Sequence, residues 1–397
     1  MKKEFPFFAN NPSLVYLDSA ATTQMPQVVI GEINDYLTKR HSNVSRGLYN
    51  LSENNTADYE KTRLEIVDYF SAKNYQAIFT AGATDAGNMI AHSLATQLKK
   101  GDNILITADA HHSSLLPFLR LKEQGIGIKF IPISSEGRIT LADIKKLIDK
   151  HTRALVVTHV SNVTGVIHDV KKICQLVGKH KIISIVDGAQ AVGHLRINLQ
   201  SIGCDYFYFS AHKMYGPTGV GALLLKDELV QKFVPLKTGG GTILQVSEKG
   251  VIYEDTLARF EAGTPNLMGV FGMRESFKWL KKNIVQIEKK EGQLLTYLLQ
   301  QLKDIDSLKI VGPIFNQNRT GVVSVNIAKV HPHDLAQILA DNNIMVRAGH
   351  HCAQIAHRYL GQTATLRISL GAYNTKDDVD SLIKYLKVAK QKFHAKL

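Results

Sequence analysis

Cysteine is scarce in this chain: 397 residues carry three, Cys174, Cys204 and Cys352. An odd, small number in a chain of this length argues against a disulfide framework and for a reducing compartment. Long hydrophobic runs are missing too. No stretch approaches the roughly 18 apolar residues that span a bilayer. The start, "MKKEFPFFANN", has two lysines but no apolar core of a signal peptide. A cytoplasmic protein with no membrane partner is the expectation. Internal repeats and low-complexity segments are absent. Acidic residues are in deficit, which leaves a net charge of +13. The basic stretches "KKNIVQIEKKE" and "KYLKVAKQKFHAK" do not interleave aromatics with arginines, as a single-strand groove would. They are read as solvated helix faces, so nucleic acid is not an expected partner. Attraction to an acidic partner or an anionic ligand is the functional alternative.

What is present is an alternation. Apolar runs of strand length occur at 77–80, 103–108, 128–133, 154–160, 182–187, 205–210 and 221–225. Helical patterns lie at 55–70, 84–99, 113–124, 140–150 and 169–180. Continuous apolar strands separated by helices predict an α/β fold with a mostly parallel sheet covered on both faces, joined by right-handed crossovers. After the glycine run at 239–242 the rhythm changes. A long helical stretch, 266–302, leads into "GVVSVNI", "DLAQILADN", "IMVRAG", "TLRISLGAY" and a terminal helix from 376. Two domains are expected: 1–265, with 1–25 packing on the other domain, and 266–397, a smaller α+β domain that carries Cys352.

Ligands of an open parallel sheet bind outside the carboxyl ends of its strands. Asp187, Ser210, His212 and Lys213 fall there. So does "TAGATDAGNMIA" (80–91), a turn feeding a helix N-terminus, where free amides favour a phosphate. Each feature alone is weak. A lone lysine after a strand is usually a surface residue, and a lone aspartate a cap or turn. "GPTGVG" (216–221) lacks the Gly-Lys-Ser/Thr ending of a phosphate loop and precedes a strand, not a helix. Jointly, an acid, a lysine and a phosphate cup facing one crevice suggest pyridoxal phosphate, which needs a lysine to carry it and an acid to keep its ring nitrogen protonated.

At these residues the sequence resembles the cysteine desulfurases of the class V aminotransferase family, in particular the SufS/CsdA-type group with a short active-site loop. The resemblance covers nearly the whole chain. It runs through "YLDSAATT" (16–23), "HVSNVTG" (159–165), "VDGAQAVGH" (186–194), "FSAHKMYGPTGVGAL" (209–223), "FEAGTPN" (260–266), "VRAGHHCAQ" (346–354) and "LRISLGAYNT" (366–375). It implies the fold type I of pyridoxal-phosphate-dependent transferases. It also implies a homodimer with sites at the subunit interface, and conversion of L-cysteine to L-alanine. A persulfide would remain on Cys352 and pass to a sulfur-acceptor protein for iron–sulfur or other sulfur-cofactor assembly. Carried over residue by residue, Lys213 would hold the cofactor, Asp187 would pair with the pyridine nitrogen, Gln190 would contact the ring hydroxyl and His111 would stack on the ring. Thr84, Ser210 and His212 would bind the phosphate, and Thr264 would reach the phosphate of the neighbouring subunit. Asn162 and Arg367 would hold the substrate carboxylate with Arg347 close by. An arginine suits that task because its fork donates two parallel hydrogen bonds.

Cys352 follows "RAGHH", so two histidines and an arginine lie within five positions. Positive neighbours favour the thiolate that would attack substrate sulfur. A buried structural cysteine and a zinc site from His350, His351 and Cys352 are the other readings. Adjacent residues rarely aim at one ion, and no CxxC or HxxxH partner is present, so no metal is expected. Cys174 and Cys204 read as small core residues, and "HPH" (331–333) as a turn entering a helix. The family pattern "TRGTTE" is "TAGATD" here, which puts Ala81, Ala83 and Asp85 in place of arginine, threonine and glutamate. Ala110 stands where a glutamate precedes the stacking histidine, and "ANIVPW" is "SSLLPF". Cofactor binding is expected to survive these changes. They motivate competing readings: a selenocysteine lyase, a plain aminotransferase or β-lyase that would need no Cys352, or a catalytically weak scaffold for sulfur-trafficking partners.

Overall fold

The computed structural model describes residues 1–45 and 47–394. After two short helical segments, Lys2–Glu4 and Pro6–Asn10, comes a short strand, β1 (Val15–Tyr16), and the chain then builds a large sheet from β2 (Tyr75–Thr80), β3 (Asn103–Thr107), β4 (Gly127–Ile131), β5 (Thr152–Thr158), β6 (Ile183–Asp187), β7 (Tyr206–Ser210) and β8 (Gly221–Lys226). These seven strands come from the seven apolar runs read in the sequence. Their order is β2-β8-β7-β6-β5-β3-β4. The pairs among β4, β3, β5, β6 and β7 are parallel, and β8 runs antiparallel to both of its neighbours. Every residue of β3 and β7 is buried, because helices cover both faces and leave no solvated side to alternate with. The two resulting cores hold residues such as Leu155, Val157, Phe207 and Phe209 on one face, and Ile104, Ile106, Ile185 and Tyr208 on the other.

An exposed hairpin, β9 (Ile243–Ser247) with β10 (Gly250–Tyr253), follows the glycine run. The helix Leu267–Lys303 comes next, capped by Asn266 Oδ1, which accepts from Gly269 N at 2.9 Å. Its 37 residues reach about 55 Å at 1.5 Å per residue. The first half packs Val270, Phe271, Phe277 and Leu280 into the large core. The second half packs Leu294, Leu295, Leu298 and Leu302 into a separate core. That second core lies against an antiparallel sheet of β11 (Leu308–Val311), β12 (Val322–Ile327), β14 (Arg347–Gly349) and β15 (Thr365–Ser369), in the order β11-β12-β15-β14.

The run "IMVRAG", read as one strand, is divided. Its first two residues form β13 (Ile344–Met345), which pairs in parallel with β1, and after Val346 the residues Arg347–Gly349 join the small sheet as β14. The N-terminal segment continues along that side, with an isolated bridge from Asp18 to Ser369. Among the described residues no helix is long and apolar enough to cross a membrane.

Candidate active site

The carboxyl ends of β6 and β7 converge with the N-terminus of the helix Ala83–Ala95. Asp187 ends β6 and is buried. Ala189 N donates to its Oδ1 at 2.9 Å, and Ser114 Oγ donates to its Oδ2. Burial pushes the Asp187 carboxyl up, and those two donors together with Lys213 oppose the rise. Ser210 ends β7, and its Oγ accepts from Ala83 N at 2.8 Å. Gly82, the N-cap of that helix, has φ +142 and offers no side-chain cap, which leaves amides of the first turn for an anion. The two backbones touch closely here. A Cβ on Gly221 would collide with the Phe209 carbonyl oxygen and lie 2.8 Å from Gly82 Cα, so only glycine fits.

Lys213 closes a single helical turn, Ala211–Lys213, directly after β7. Burial draws its amine down to about 8; Arg367 and Arg347 act with burial, while Asp187 and Cys352 act against it. The turn is pinned from outside. Thr23 N and Oγ1 both donate to the His212 carbonyl, and Tyr215 N donates to Thr23 Oγ1 at 2.7 Å. The His212 ring is held at about 4 by burial and by Lys213. Gln190 Nε2 gives one hydrogen to the Ala20 carbonyl at 2.7 Å, so the N-terminal segment roofs the crevice.

His111 is the N-cap of the helix His112–Leu119, and its Nδ1 accepts from Ser113 N at 3.1 Å. Burial, followed by Lys213, holds its ring at about 3. The ring is therefore neutral at pH 7, with Nδ1 accepting and the proton left on Nε2. Thr84 and His111 line one cavity of about 600 Å³. In the single chain Thr264 lies elsewhere, in a cavity of about 170 Å³ shared with Ala81, Asp85 and Lys237. Lys237 Nζ is 2.7 Å from Asp85 Oδ1, and Ala81 N donates to Asp85 Oδ2 at 3.0 Å. A cation thus stands beside Ala81, supplied by a lysine that sequence reasoning missed.

Arg367 and Arg347 face each other in register across β15 and β14. Like charges placed opposite repel, so the pair calls for an anion. Arg367 is 2% exposed; its Nη2 donates to Asp18 Oδ1 at 3.0 Å and its Nη1 to the Asn162 carbonyl at 3.2 Å. Its Nε and Asn162 Oδ1 are buried without partners among the described residues. Asn162 Nδ2 donates to the His351 carbonyl at 2.7 Å, which ties this corner to the cysteine loop. Asp18 had no role in the sequence reading.

Cys352 is exposed, whereas Cys174 and Cys204 are buried. It sits between β14 and the helix Gln354–Tyr359, and both His351 and Cys352 have positive φ, +52 and +56. Two successive non-glycine residues in that region hold a sharp, strained bend. His112 N donates to the Cys352 carbonyl at 2.8 Å, which docks the bend beside His111. The expectation that both neighbouring histidines lend positive charge to the thiol is corrected for His351. Its ring is buried, bonded to Thr365 Oγ1 at 2.9 Å, and held at about 2 by burial, with Arg367 the next cause. Among the described residues no group of three or more His, Cys, Asp or Glu could hold a metal ion.

Against known proteins, the model of the aminotransferase class-V family matches residues 15–382. A protein of Halalkalibacterium halodurans named probable cysteine desulfurase is 40% identical, with 99% of this chain and 98% of the relative covered. A Staphylococcus aureus protein of the same name is 39% identical over 98% of this chain and 96% of the relative. Among solved structures, the apo cysteine desulfurase of Thermococcus onnurineus NA1 superposes with a TM-score of 0.93 at 35% identity, covering 98% of this chain and 97% of that one. The cysteine desulfurase CsdA of Escherichia coli gives 0.91 at 31%, covering 99% and 98%.

Proposed function

The chain belongs to the class-V aminotransferase family, and from that premise we propose that it is a pyridoxal-phosphate-dependent cysteine desulfurase. The observation that carries the reading is the docking of the Cys352 bend against the His111 turn, through the hydrogen bond from His112 N to the Cys352 carbonyl. An exposed thiol is thereby held at the mouth of a crevice that also contains a buried acid, a lysine drawn down to about 8 and an arginine whose Nε has no partner among the described residues.

The donor set fits the cofactor. The uncapped first turn of the helix Ala83–Ala95 and Ser210 suit a phosphate, and Asp187 is a buried carboxylate with acceptor capacity to spare. Lys213 would hold the group, Asp187 would face its pyridine nitrogen, Gln190 its ring hydroxyl and His111 its face. Thr84, Ser210 and His212 would take the phosphate, with Thr264 contributed by the second subunit of a homodimer. Pyridoxal phosphate, when bound, supplies an electron sink for the pair released at the substrate Cα.

The remaining work belongs to the chain. Arg367 and Asn162, with Arg347 beside them, orient the carboxylate of L-cysteine; the free Nε–H of Arg367 is the buried donor left for it. Lys213, drawn down to about 8 by burial, has a free-amine fraction that takes the Cα proton. The Cys352 thiolate forms a new S–S bond to the substrate sulfur as the Cβ–S bond breaks. Alanine leaves and a persulfide stays on Cys352 for a sulfur-acceptor protein. Two thiols and one Cβ–S bond enter; one persulfide and one Cβ–H bond leave, so no outside oxidant is needed.

The test is alanine released from L-cysteine by the purified, cofactor-loaded protein with dithiothreitol. Cys352→Ala should reduce it to background. Undiminished alanine from that variant would sink the persulfide route and leave a β-lyase or a selenocysteine-type lyase.

A further inference from the structure

Three buried side chains form one directed chain beneath the crevice. Tyr208 on β7, Ser114 on the helix His112–Leu119 and Asp187 at the end of β6 are 0%, 0% and 4% exposed. Tyr208 OH lies 2.8 Å from Ser114 Oγ, and Ser114 Oγ contacts Asp187 Oδ2. The proton order is forced by donor counting. An ionised carboxylate only accepts, so Ser114 must give it its one hydrogen, and Tyr208 must then donate to the serine oxygen. Each member polarises the next in a water-excluded setting, where such bonds are strong.

Resting on the reading above, we propose that Ser114 and Tyr208 are positioning residues that hold the Asp187 carboxylate ionised and aimed into the crevice. Burial by itself favours the protonated form of this acid, which lacks the charge a pyridinium needs. Ala189 N serves the other oxygen, at 2.9 Å, so the relay is the side-chain half of the support. It also links two jobs. Ser114 lies in the helix that His111 caps, so one short helix both presents the His111 ring and sets the acid opposite. A Tyr208→Phe change strands one serine lone pair, while Ser114→Ala removes the donor to the acid itself.

The experiment follows the Asp187 carboxyl by carbon-13 resonance in the full-length protein before cofactor addition, assigned with Asp187→Asn. Ser114→Ala should raise its titration midpoint by about one pH unit, a tenfold change in the acid equilibrium; Tyr208→Phe should raise it by less, and Ser114→Thr should restore it. The same variants are then loaded with pyridoxal phosphate. The affinity for the cofactor should fall several-fold in the order Ser114→Ala, then Tyr208→Phe, and the pH dependence of its visible band should shift with it. Unchanged midpoints in both variants would overturn the relay, whatever the activity. Expected midpoints in a wild-type protein that takes up no cofactor would leave the relay standing and sink the functional reading instead. Circular dichroism and the Ser114→Thr variant separate a positional loss from misfolding.

Discussion

Lys213 and His111 show how burial at a few residues prepares chemistry. Both are cationic groups pushed toward their neutral forms, the lysine to about 8 and the histidine to about 3. Two arginines add to that pressure on each of them, and the pair itself is pulled toward an anion. The lysine is expected to react with an amine-directed reagent, in protein free of cofactor, with a rate whose midpoint lies near pH 8. That is well below an ordinary lysine near 10.4. A midpoint near 10 in a labelling-and-mass-spectrometry time course would refute the account of burial. Asp187, Ser210, His212 and Lys213 were legible in sequence because they sit at or just after strand ends, whereas Gln190, His111, Thr84, Asn162, Arg347 and Arg367 entered only through the family resemblance. Asp18, Ser114, Tyr208 and Lys237 were not legible, since each acts through a partner 73 to 349 positions away or is hidden inside an apolar run; Asp18 to Arg367 is the longest link, at 349.

Elements are tied together by charges as well as by apolar faces. Glu261, just before Thr264, accepts from Arg63 Nη1 at 2.7 Å, Arg63 Nη2 at 3.0 Å, Phe79 N at 2.7 Å and Tyr59 OH at 2.7 Å. It thereby fastens the helix Asn50–Tyr69 and β2 to the Thr264 loop. Arg63 is 5% exposed, so removing its main counter-ion leaves a buried cation with only the outer Glu60 (2.9 Å). Glu261→Ala is expected to cost about 3 to 5 kcal/mol in urea unfolding, and the double change Arg63→Met with Glu261→Leu should recover much of it. A loss below about 1 kcal/mol, the size of a surface pair, would contradict this. Boundaries of the long strands were read well because burial on both faces writes a continuous apolar signal. The β9–β10 hairpin was missed because its residues are almost all exposed, and nothing apolar alternates where nothing is buried. The division of β13 from β14 was missed because it depends on a partner strand some 330 positions earlier.

For the whole molecule, buried neutral histidines set the response to acid. Burial holds His159 at about 4, with His168 adding to it, and His111 and His351 lie lower still. An unfolded histidine titrates near 6.5. Between that value and the folded one, the unfolded chain binds protons that the folded protein refuses, so stability falls as pH falls. Each such histidine costs about 1.4 kcal/mol per pH unit in that window. His194 works the other way: burial opposes its proton, but Glu291, 2.7 Å away, outweighs burial and raises it. Its contribution is complete below 6.5 and is lost as pH rises through the folded value. His159, His111, His351 and His212 together predict a net loss between pH 6.5 and 5, where His194 adds no slope, read as a falling urea midpoint. His159→Gln should flatten that slope; a midpoint that rises on acidification would contradict the assignment.

The sequence by itself determined the α/β architecture, the seven strands of the large sheet and the presence of an acid and a lysine at neighbouring strand ends. Those depend on local periodicity and on the rule that ligands meet a parallel sheet at its carboxyl edge. Only the tertiary structure decided which neighbours of Cys352 carry charge, how the N-terminal segment roofs Lys213, and which buried donors face Asp187. Hydrogen-bond direction and desolvation depend on what surrounds a group in three dimensions. A histidine next to a thiol in sequence can therefore be buried, neutral and turned toward a threonine, as His351 is.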